Sequence, residues 1–213
     1  MPVPLDHFLA FALSSLVLVA IPGPTIVMVV SEALAHGRRI ALASVLGVAL
    51  GDLLAASLSL VGVGTVLAAS GLAFTLLKWL GAAYLVFIGL KMWRAPAPDF
   101  APPETGSVQV ASRRIFRDSF LVTLFNPKGI VFFMAFVPQF ISAERAFAPQ
   151  AAQLVATFVV IGMVNAFAYA TLASGARRLV RRPRVLKAAT RTGAGFLIGA
   201  GIASLFVRRA AAA

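Results

Sequence analysis

Cysteine is absent from this chain of 213 residues, and only two histidines and seven acidic residues are present. The lack of cysteine excludes disulfides, thiolate metal sites and thiol redox chemistry. Two histidines are too few for a histidine-rich metal site, so no metal and no cofactor is predicted. Charged residues make up 12% of the chain, about half of their share in a soluble globular protein. A soluble protein is therefore excluded.

Hydrophobic residues are in excess and make up 60% of the chain. A helix needs about 20 apolar residues to cross a bilayer, so this content suffices for about six crossings. The six apolar segments are 5–35, 40–68, 72–93, 119–141, 151–174 and 190–207. We predict an all-α integral membrane protein with six transmembrane helices in a single domain, residues 1–213.

Two of these segments contain residues that break a helix. The tetrads are Ile21-Pro22-Gly23-Pro24 in the first segment and Phe125-Asn126-Pro127-Lys128 in the fourth. Proline removes a backbone donor and kinks or ends a helix, so helices 1 and 4 are predicted to be broken. Residues 1–7 contain no Lys or Arg, so the first apolar run is not expected to be a cleaved signal peptide.

A polar segment rich in proline, residues 95–118, is predicted to link a first half, 1–94, to a second half, 119–213. Each half then contains three crossings.

The basic residues predict how the chain is oriented in the membrane, because cytoplasmic loops are rich in Lys and Arg. Fourteen of the nineteen basic residues lie in 36–39, 91–117 and 177–191, and four lie on the opposite side. We expect 36–39, 94–117 and 176–190 to be cytoplasmic and both termini to be external. Since topology explains the net charge of +12, the bilayer is the expected partner and nucleic acid is not.

The two halves also share a weak sequence repeat. The matching elements are Leu80–Leu85 with Thr192–Leu197, Gly81 with Gly193, and Gly89 with Gly201. The two helix-breaking tetrads likewise occupy the first crossing of each half. Because three crossings is an odd number, the halves would enter the membrane from opposite sides, as a 3+3 inverted repeat. Glycine-rich membrane helices can also resemble one another through composition alone.

Small residues recur at every fourth position of the second crossing. They are Ala43, Gly47, Gly51, Ala55 and Ser59. This spacing gives one smooth face, which is typical of close helix packing in membranes. We assign Gly47, Gly51, Gly81, Gly89, Gly193 and Gly201 to helix packing. The sequence does not distinguish static packing from sliding.

Few polar side chains lie deep in the apolar segments. Asp52 is near the middle of the second crossing, Lys128 follows the second break, and Asn165 lies in the fifth crossing. An unpaired charge there would be severely desolvated, so Asp52 and Lys128 are expected to share one polar cavity. Intramembrane charges mark pathways, so we predict a translocation site at these residues and the two breaks. The alternative is a buried ion pair that only fixes the helix register.

Four elements, taken in order, resemble the bacterial lysine exporter and threonine/homoserine exporter family. They are Ile21–Pro24, Gly47 to Asp52, Lys78–Leu85 with Gly89, and Asn126–Gly129. The resemblance extends over nearly the whole chain, and the linker is its least typical part. It implies a transporter of the bacterial inner membrane that exports amino acids or close derivatives in exchange for protons. The amino-acid substrate and the protons rest on this resemblance alone.

The broken helices suggest how an amino acid would be bound. Their ends expose N–H groups for a carboxylate and carbonyl groups for an ammonium. Lys128 could add positive charge for the carboxylate, and Asp52 could hold the ammonium or a proton.

Other functional classes are weighed against export of amino acids. An exporter or channel for another small solute or ion, or a non-transporting scaffold, would also have apolar helices. A channel needs a continuous polar stripe, for which six crossings carry too few polar residues unless they form a homo-oligomer. An enzyme is not predicted, because these segments lack a buried His, any Cys, and a Ser with an evident base.

Overall fold

The computed structural model describes residues 1–36, 38–69, 71–94, 112–142 and 144–175, and five residue pairs between 187 and 202. The regular elements of this part of the chain are all helical, as predicted. The α-helices are α1 (Leu5–Ala20), α2 (Pro24–His36), α3 (Arg38–Ala69), α4 (Gly71–Arg94), α5 (Ser112–Leu124), α6 (Pro127–Val131) and α7 (Phe147–Gly175). A π-helical turn, Phe132–Phe136, and a 3₁₀ turn, Val137–Phe140, continue from α6.

Among the described residues, two helices are long and apolar enough to cross a membrane unaided: the Ala41–Thr65 part of α3 and the Phe147–Ala173 part of α7. Two bent pairs meet the same criterion only when each pair is taken together: α1 with α2, and α5 with Pro127–Phe140. With each bent pair as one span, the described residues contain up to four crossings. The predicted third crossing corresponds to α4, and most of the predicted sixth, 190–207, lies outside the described residues.

The outer surface carries many large apolar side chains. Leu5, Leu9, Leu13 and Leu16 are exposed along α1, and Leu46, Leu50, Leu54 and Leu58 along α3. Apolar surface this extensive is covered by a bilayer in a membrane protein.

The two breaks lie where the sequence predicts them. The helix axis bends by 54° between α1 and α2 and by 40° between α5 and the segment that starts at Pro127. Pro24 and Pro127 are each the first residue of the helix that follows the break, where proline's fixed φ suits the helix and its missing N–H costs no hydrogen bond. The Asn126 side chain caps α6 by accepting a hydrogen bond of 3.1 Å from the Lys128 amide.

Helix α5 begins inside the segment that we predicted as linker. Its first residue is Ser112, whereas the linker was expected to reach residue 118. The polar composition of 112–118 is typical of a linker, but Ile115, Ser119 and Thr123 repeat every fourth residue and are buried. One face of this kind lets an otherwise polar segment dock as an amphipathic helix. Residues 95–111 lie outside the described part of the chain.

Helix α5 packs closely against α3 at Gly47 and Gly51. A Cβ atom on Gly47 would collide with the Phe116 carbonyl oxygen, and one on Gly51 would lie 2.8 Å from Thr123 Cβ. A hydrogen bond of 2.6 Å between the Ser44 and Ser119 hydroxyls crosses the same contact. The small-residue face of α3 therefore brings the two backbones together, as is common between membrane helices.

A second close contact joins α4 to the residue pairs between 194 and 202. A Cβ atom on Gly89 would lie 2.9 Å from the Ala194 carbonyl oxygen, and one on Gly201 would lie 2.8 Å from the Ala82 carbonyl oxygen. The two contacts are reciprocal, because the sequence repeat pairs Ala82 with Ala194 and Gly89 with Gly201. Gly193 and the surroundings of Gly81 are outside what the structure describes.

Aromatic side chains fill the core beside the π-helical turn. The aromatic cluster consists of Phe11, Phe132, Phe133, Phe136, Phe140 and Phe158. The Phe133 and Phe158 ring centroids are 4.8 Å apart and nearly perpendicular, an arrangement that favours attraction between rings. Within the turn, the Val137 amide donates to the Phe132 carbonyl, five residues back. The cluster thus ties α1, the turn and α7 together.

Candidate functional site

A polar cavity lies where the two broken helices meet. Its volume is about 40 Å³. Its lining residues are Leu18, Val19, Thr25, Ile26, Val48, Asp52, Asn126, Lys128, Gly129, Phe158, Gly162 and Asn165. The structure therefore brings together all four polar residues predicted for the site, Asp52, Asn126, Lys128 and Asn165.

The carbonyl end of α1 forms one wall of this region, and its carbonyl groups all have donors. Lys128 Nζ donates to Leu18 O at 3.0 Å and to Ile21 O at 3.1 Å. Between them, Asn165 Nδ2 donates to Val19 O at 2.8 Å, and Tyr169 Oη donates to Ala20 O at 2.8 Å. Carbonyls at a helix end have no partner within the helix, and each would be costly inside a membrane. Three side chains thus satisfy four consecutive carbonyl groups.

The second break is hydrogen-bonded to the first turn of α2. Asn126 Nδ2 donates to Thr25 Oγ1 at 3.2 Å, and the Thr123 hydroxyl donates to the same oxygen at 3.4 Å. Asn126 therefore caps α6 through its oxygen and contacts α2 through its nitrogen. The two breaks lie side by side rather than at opposite ends of the helices.

Asp52 enters the cavity from α3 and faces α7. A Cβ atom on Gly162 would lie only 2.7 Å from Asp52 Oδ2, so a glycine is needed there for the carboxylate to adopt this position. In the part of the chain that the structure describes, no ion pair joins Asp52 to Lys128. The Lys128 amino group is instead directed to the α1 carbonyls, which carry the negative end of the helix dipole.

The remaining predicted residues shape the two breaks. Pro22 and Gly23 lie in the connection between α1 and α2, and Pro24 and Pro127 start the helices that follow. A Cβ atom on Gly23 would lie 3.5 Å from Lys128 Nζ. This is ordinary van der Waals contact, so the first break passes directly beside the Lys128 amino group.

The residues of the site that were not predicted from the sequence include Thr25, Gly162 and Tyr169. Thr25 directly follows the first break, which was a signal that could have been used. Gly162 and Tyr169 lie three residues before and four residues after Asn165, spacings that place all three on one helix face. In the described ranges, no three acidic or histidine side chains come together to hold a metal ion.

These features define a helical membrane protein with a polar cavity between broken helices, which is the arrangement of membrane transporters. Residues 16–208 match the LysE type translocator family. The chain belongs to this family, whose members are transporters and not enzymes.

Several relatives are similar over most of the chain. A homoserine/homoserine lactone efflux protein of Salmonella typhimurium is 38% identical over 205 residues, which cover 93% of this chain and 97% of the relative. An uncharacterized membrane protein of Vibrio cholerae serotype O1 is 36% identical over 195 residues, covering 92% and 94%. A leucine efflux protein of Klebsiella pneumoniae is 30% identical over 138 residues, or 65% of each chain. No solved structure matches.

Proposed function

We propose that this protein exports amino acids or close derivatives across the bacterial inner membrane in exchange for protons. The observation that carries the proposal is the meeting of two helix breaks at one cavity that contains both Asp52 and Lys128. Charged side chains inside apolar spans are expensive and mark transport pathways. The names of the relatives, homoserine/homoserine lactone efflux protein and leucine efflux protein, support the substrate class.

The polar groups around the cavity suit the two charged ends of an amino acid. The first turn of α2, with Thr25 and Ile26 on the cavity wall, offers N–H groups and a positive helix end to a carboxylate. Lys128 adds positive charge to the same cavity. Because the α1 carbonyls already have donors, the Asp52 carboxylate is the acceptor that would hold the ammonium group or a proton.

The apolar part of the lining suits a small uncharged side chain. Leu18, Ile26, Val48 and Phe158 line the cavity beside the polar groups. They would surround the side chain of a substrate such as leucine, whose burial is favourable. A long basic side chain would place a second ammonium among these apolar residues, so we expect neutral amino acids to be preferred over lysine.

We further propose six crossings arranged as a 3+3 inverted repeat. The reciprocal contacts of Gly89 with Ala194 and of Gly201 with Ala82 support it. They are the contacts that a two-fold axis in the membrane plane would generate between the third crossing of each half. The side-by-side position of the two breaks agrees with the same axis.

Exchange across a vesicle membrane tests the transport proposal. We expect proteoliposomes that contain the purified protein, preloaded with unlabelled leucine or homoserine, to accumulate the same labelled amino acid from the outside medium. This counterflow requires a carrier that alternates between two sides, and a channel does not produce it. An inward proton gradient should also drive efflux of preloaded substrate. Protein that dissipates the gradient without moving amino acids, or moves them without counterflow, would contradict the proposal.

The orientation can be tested with single cysteines, because the native chain has none. We expect a membrane-impermeant maleimide to label Glu144→Cys in intact cells, since Glu144 is exposed on the predicted external side. Ser107→Cys, in the predicted cytoplasmic linker, should react only after the inner membrane is permeabilised. Labelling of Ser107→Cys in intact cells would reverse the orientation.

A further inference from the structure

The end of α1 has the composition of a cation site, and it forms part of the wall of the cavity, where Leu18, Val19 and Lys128 line it. Two backbone oxygens, Leu18 O and Ile21 O, converge on one point. The dipole of α1 makes this end negative. Gly23 lies directly beside the amino group, since a Cβ atom there would be in ordinary van der Waals contact with Lys128 Nζ at 3.5 Å.

The donors on the four carbonyls differ in charge. The two inner carbonyls, of Val19 and Ala20, accept from the neutral groups of Asn165 and Tyr169. The two outer carbonyls accept from the ammonium group of Lys128, which carries three N–H donors and no acceptor. One positive charge is therefore bound at the outer pair.

We propose that the carbonyl end of α1 is a binding site for a small ammonium ion, which Lys128 fills from within the chain. Lys128 starts from α6, which lies more than a hundred residues further along the chain than α1. Its amino group therefore joins the two broken helices. In other transporters, half-helix carbonyl ends and unwound backbone coordinate Na⁺. Here a tethered amine takes that place, so the protein needs neither Na⁺ nor K⁺ to hold α1.

The test is to empty the site and offer a free amine. Lys128→Ala is expected to lower the unfolding temperature of the purified protein, because Leu18 O and Ile21 O lose their donor. Methylammonium should raise that temperature in a saturable manner by at least about 3 °C. Tetramethylammonium carries the same charge without an N–H group, and it should give no saturable rise. The wild type should respond to neither ion.

Lys91→Ala is the matched control, because Lys91 is an exposed lysine in the last turn of α4. It should unfold like the wild type with or without methylammonium. Equal responses to the two ions by Lys128→Ala, or an equal methylammonium response by the wild type, would overturn the proposal.

A second measurement keeps the proposal testable if Lys128→Ala does not fold. The wild type should unfold at the same temperature in sodium, potassium and choline media of equal ionic strength. A saturable stabilisation by Na⁺ or K⁺ over choline would mean that a dissolved ion holds α1, and would contradict the role given to Lys128. Neither measurement involves transport, so a failure here is distinguishable from a failure of the export proposal.

Discussion

Replacing Asp52 by asparagine is expected to abolish export driven by a proton gradient while the protein still folds and inserts into the membrane. Asparagine keeps the size of the side chain and its fit against Gly162, where Asp52 Oδ2 allows no extra atom. It cannot take up or release a proton. Since no ion pair of Asp52 is found among the described contacts, the substitution breaks no salt bridge there.

The coupling argument follows from this position. A carboxylate inside an apolar span is costly when it is charged, and protonation removes that cost. If Asp52 binds a proton on the outer side, its attraction for the substrate ammonium falls and the amino acid is released. Counterflow of amino acid needs no net proton movement, so Asp52→Asn should lose gradient-driven efflux but retain counterflow, at higher substrate concentrations than the wild type because the charge that attracts the ammonium group is gone.

The control for this experiment is Asp118→Asn on α5. Asp118 pairs with the exposed Arg114 and Arg117, and exposed pairs of this kind contribute little to stability. Its efflux should equal that of the wild type. Full gradient-driven efflux by Asp52→Asn, or by the double variant Asp52→Asn with Lys128→Met, would show that these charges only compensate each other structurally.

Replacing Gly47 by leucine is expected to prevent recovery of folded protein. The first side-chain atom would already collide with the Phe116 carbonyl oxygen and lie 3.1 Å from Ser119 Cβ. A backbone oxygen cannot turn away as a side chain can, so α3 and α5 would have to separate. Overpacking a core typically costs about 1–3 kcal/mol even where side chains can adjust. Gly47→Ala should show a weaker form of the same loss, measured as a lower unfolding temperature in detergent.

Gly62 provides the matched control on the same helix. A Cβ atom there would meet no other atom within 4 Å, and the position is exposed. Gly62→Leu should therefore fold as well as the wild type, and Gly62→Ala should be neutral or slightly stabilising, because alanine favours a helix more than glycine does. Equal damage at Gly47 and Gly62 would mean that helix propensity or hydrophobicity, rather than close approach, explains the loss.

The sequence predicted best those features that a residue imposes through its own backbone or its own size. A proline far inside an apolar run removes a backbone donor whatever surrounds it, so both breaks could be located in advance. Small residues at every fourth position likewise predict a close contact, although not which helix makes it. The prediction placed the start of α5 too late, because most residues of 112–118 are polar. Only the packing of α3 against it shows that this segment has a narrow buried face.

The hydrogen bonds of Lys128 could not be predicted from the sequence. The expected partner was Asp52, the other deep charge, because a side-chain charge is visible in the sequence. The observed acceptors are backbone carbonyls of Leu18 and Ile21. Every residue has such a carbonyl, and only the break after α1, together with the packing of α6 beside it, makes these two available. Tyr169 was overlooked for the same reason, since its acceptor is the Ala20 carbonyl.

The π-helical turn at Phe132–Phe136 bears on how chain length can vary among relatives. Its backbone hydrogen bond from Val137 to Phe132 spans one residue more than an α-helical bond does. The turn therefore holds one residue in excess of a regular helix. A homologue shorter by one residue at this point could form an ordinary α-helical turn while the flanking segments keep their positions. We thus expect a single-residue gap here in a family alignment to leave the positions of the flanking segments unchanged. A gap between Asn126 and Lys128 would instead alter the cap of α6.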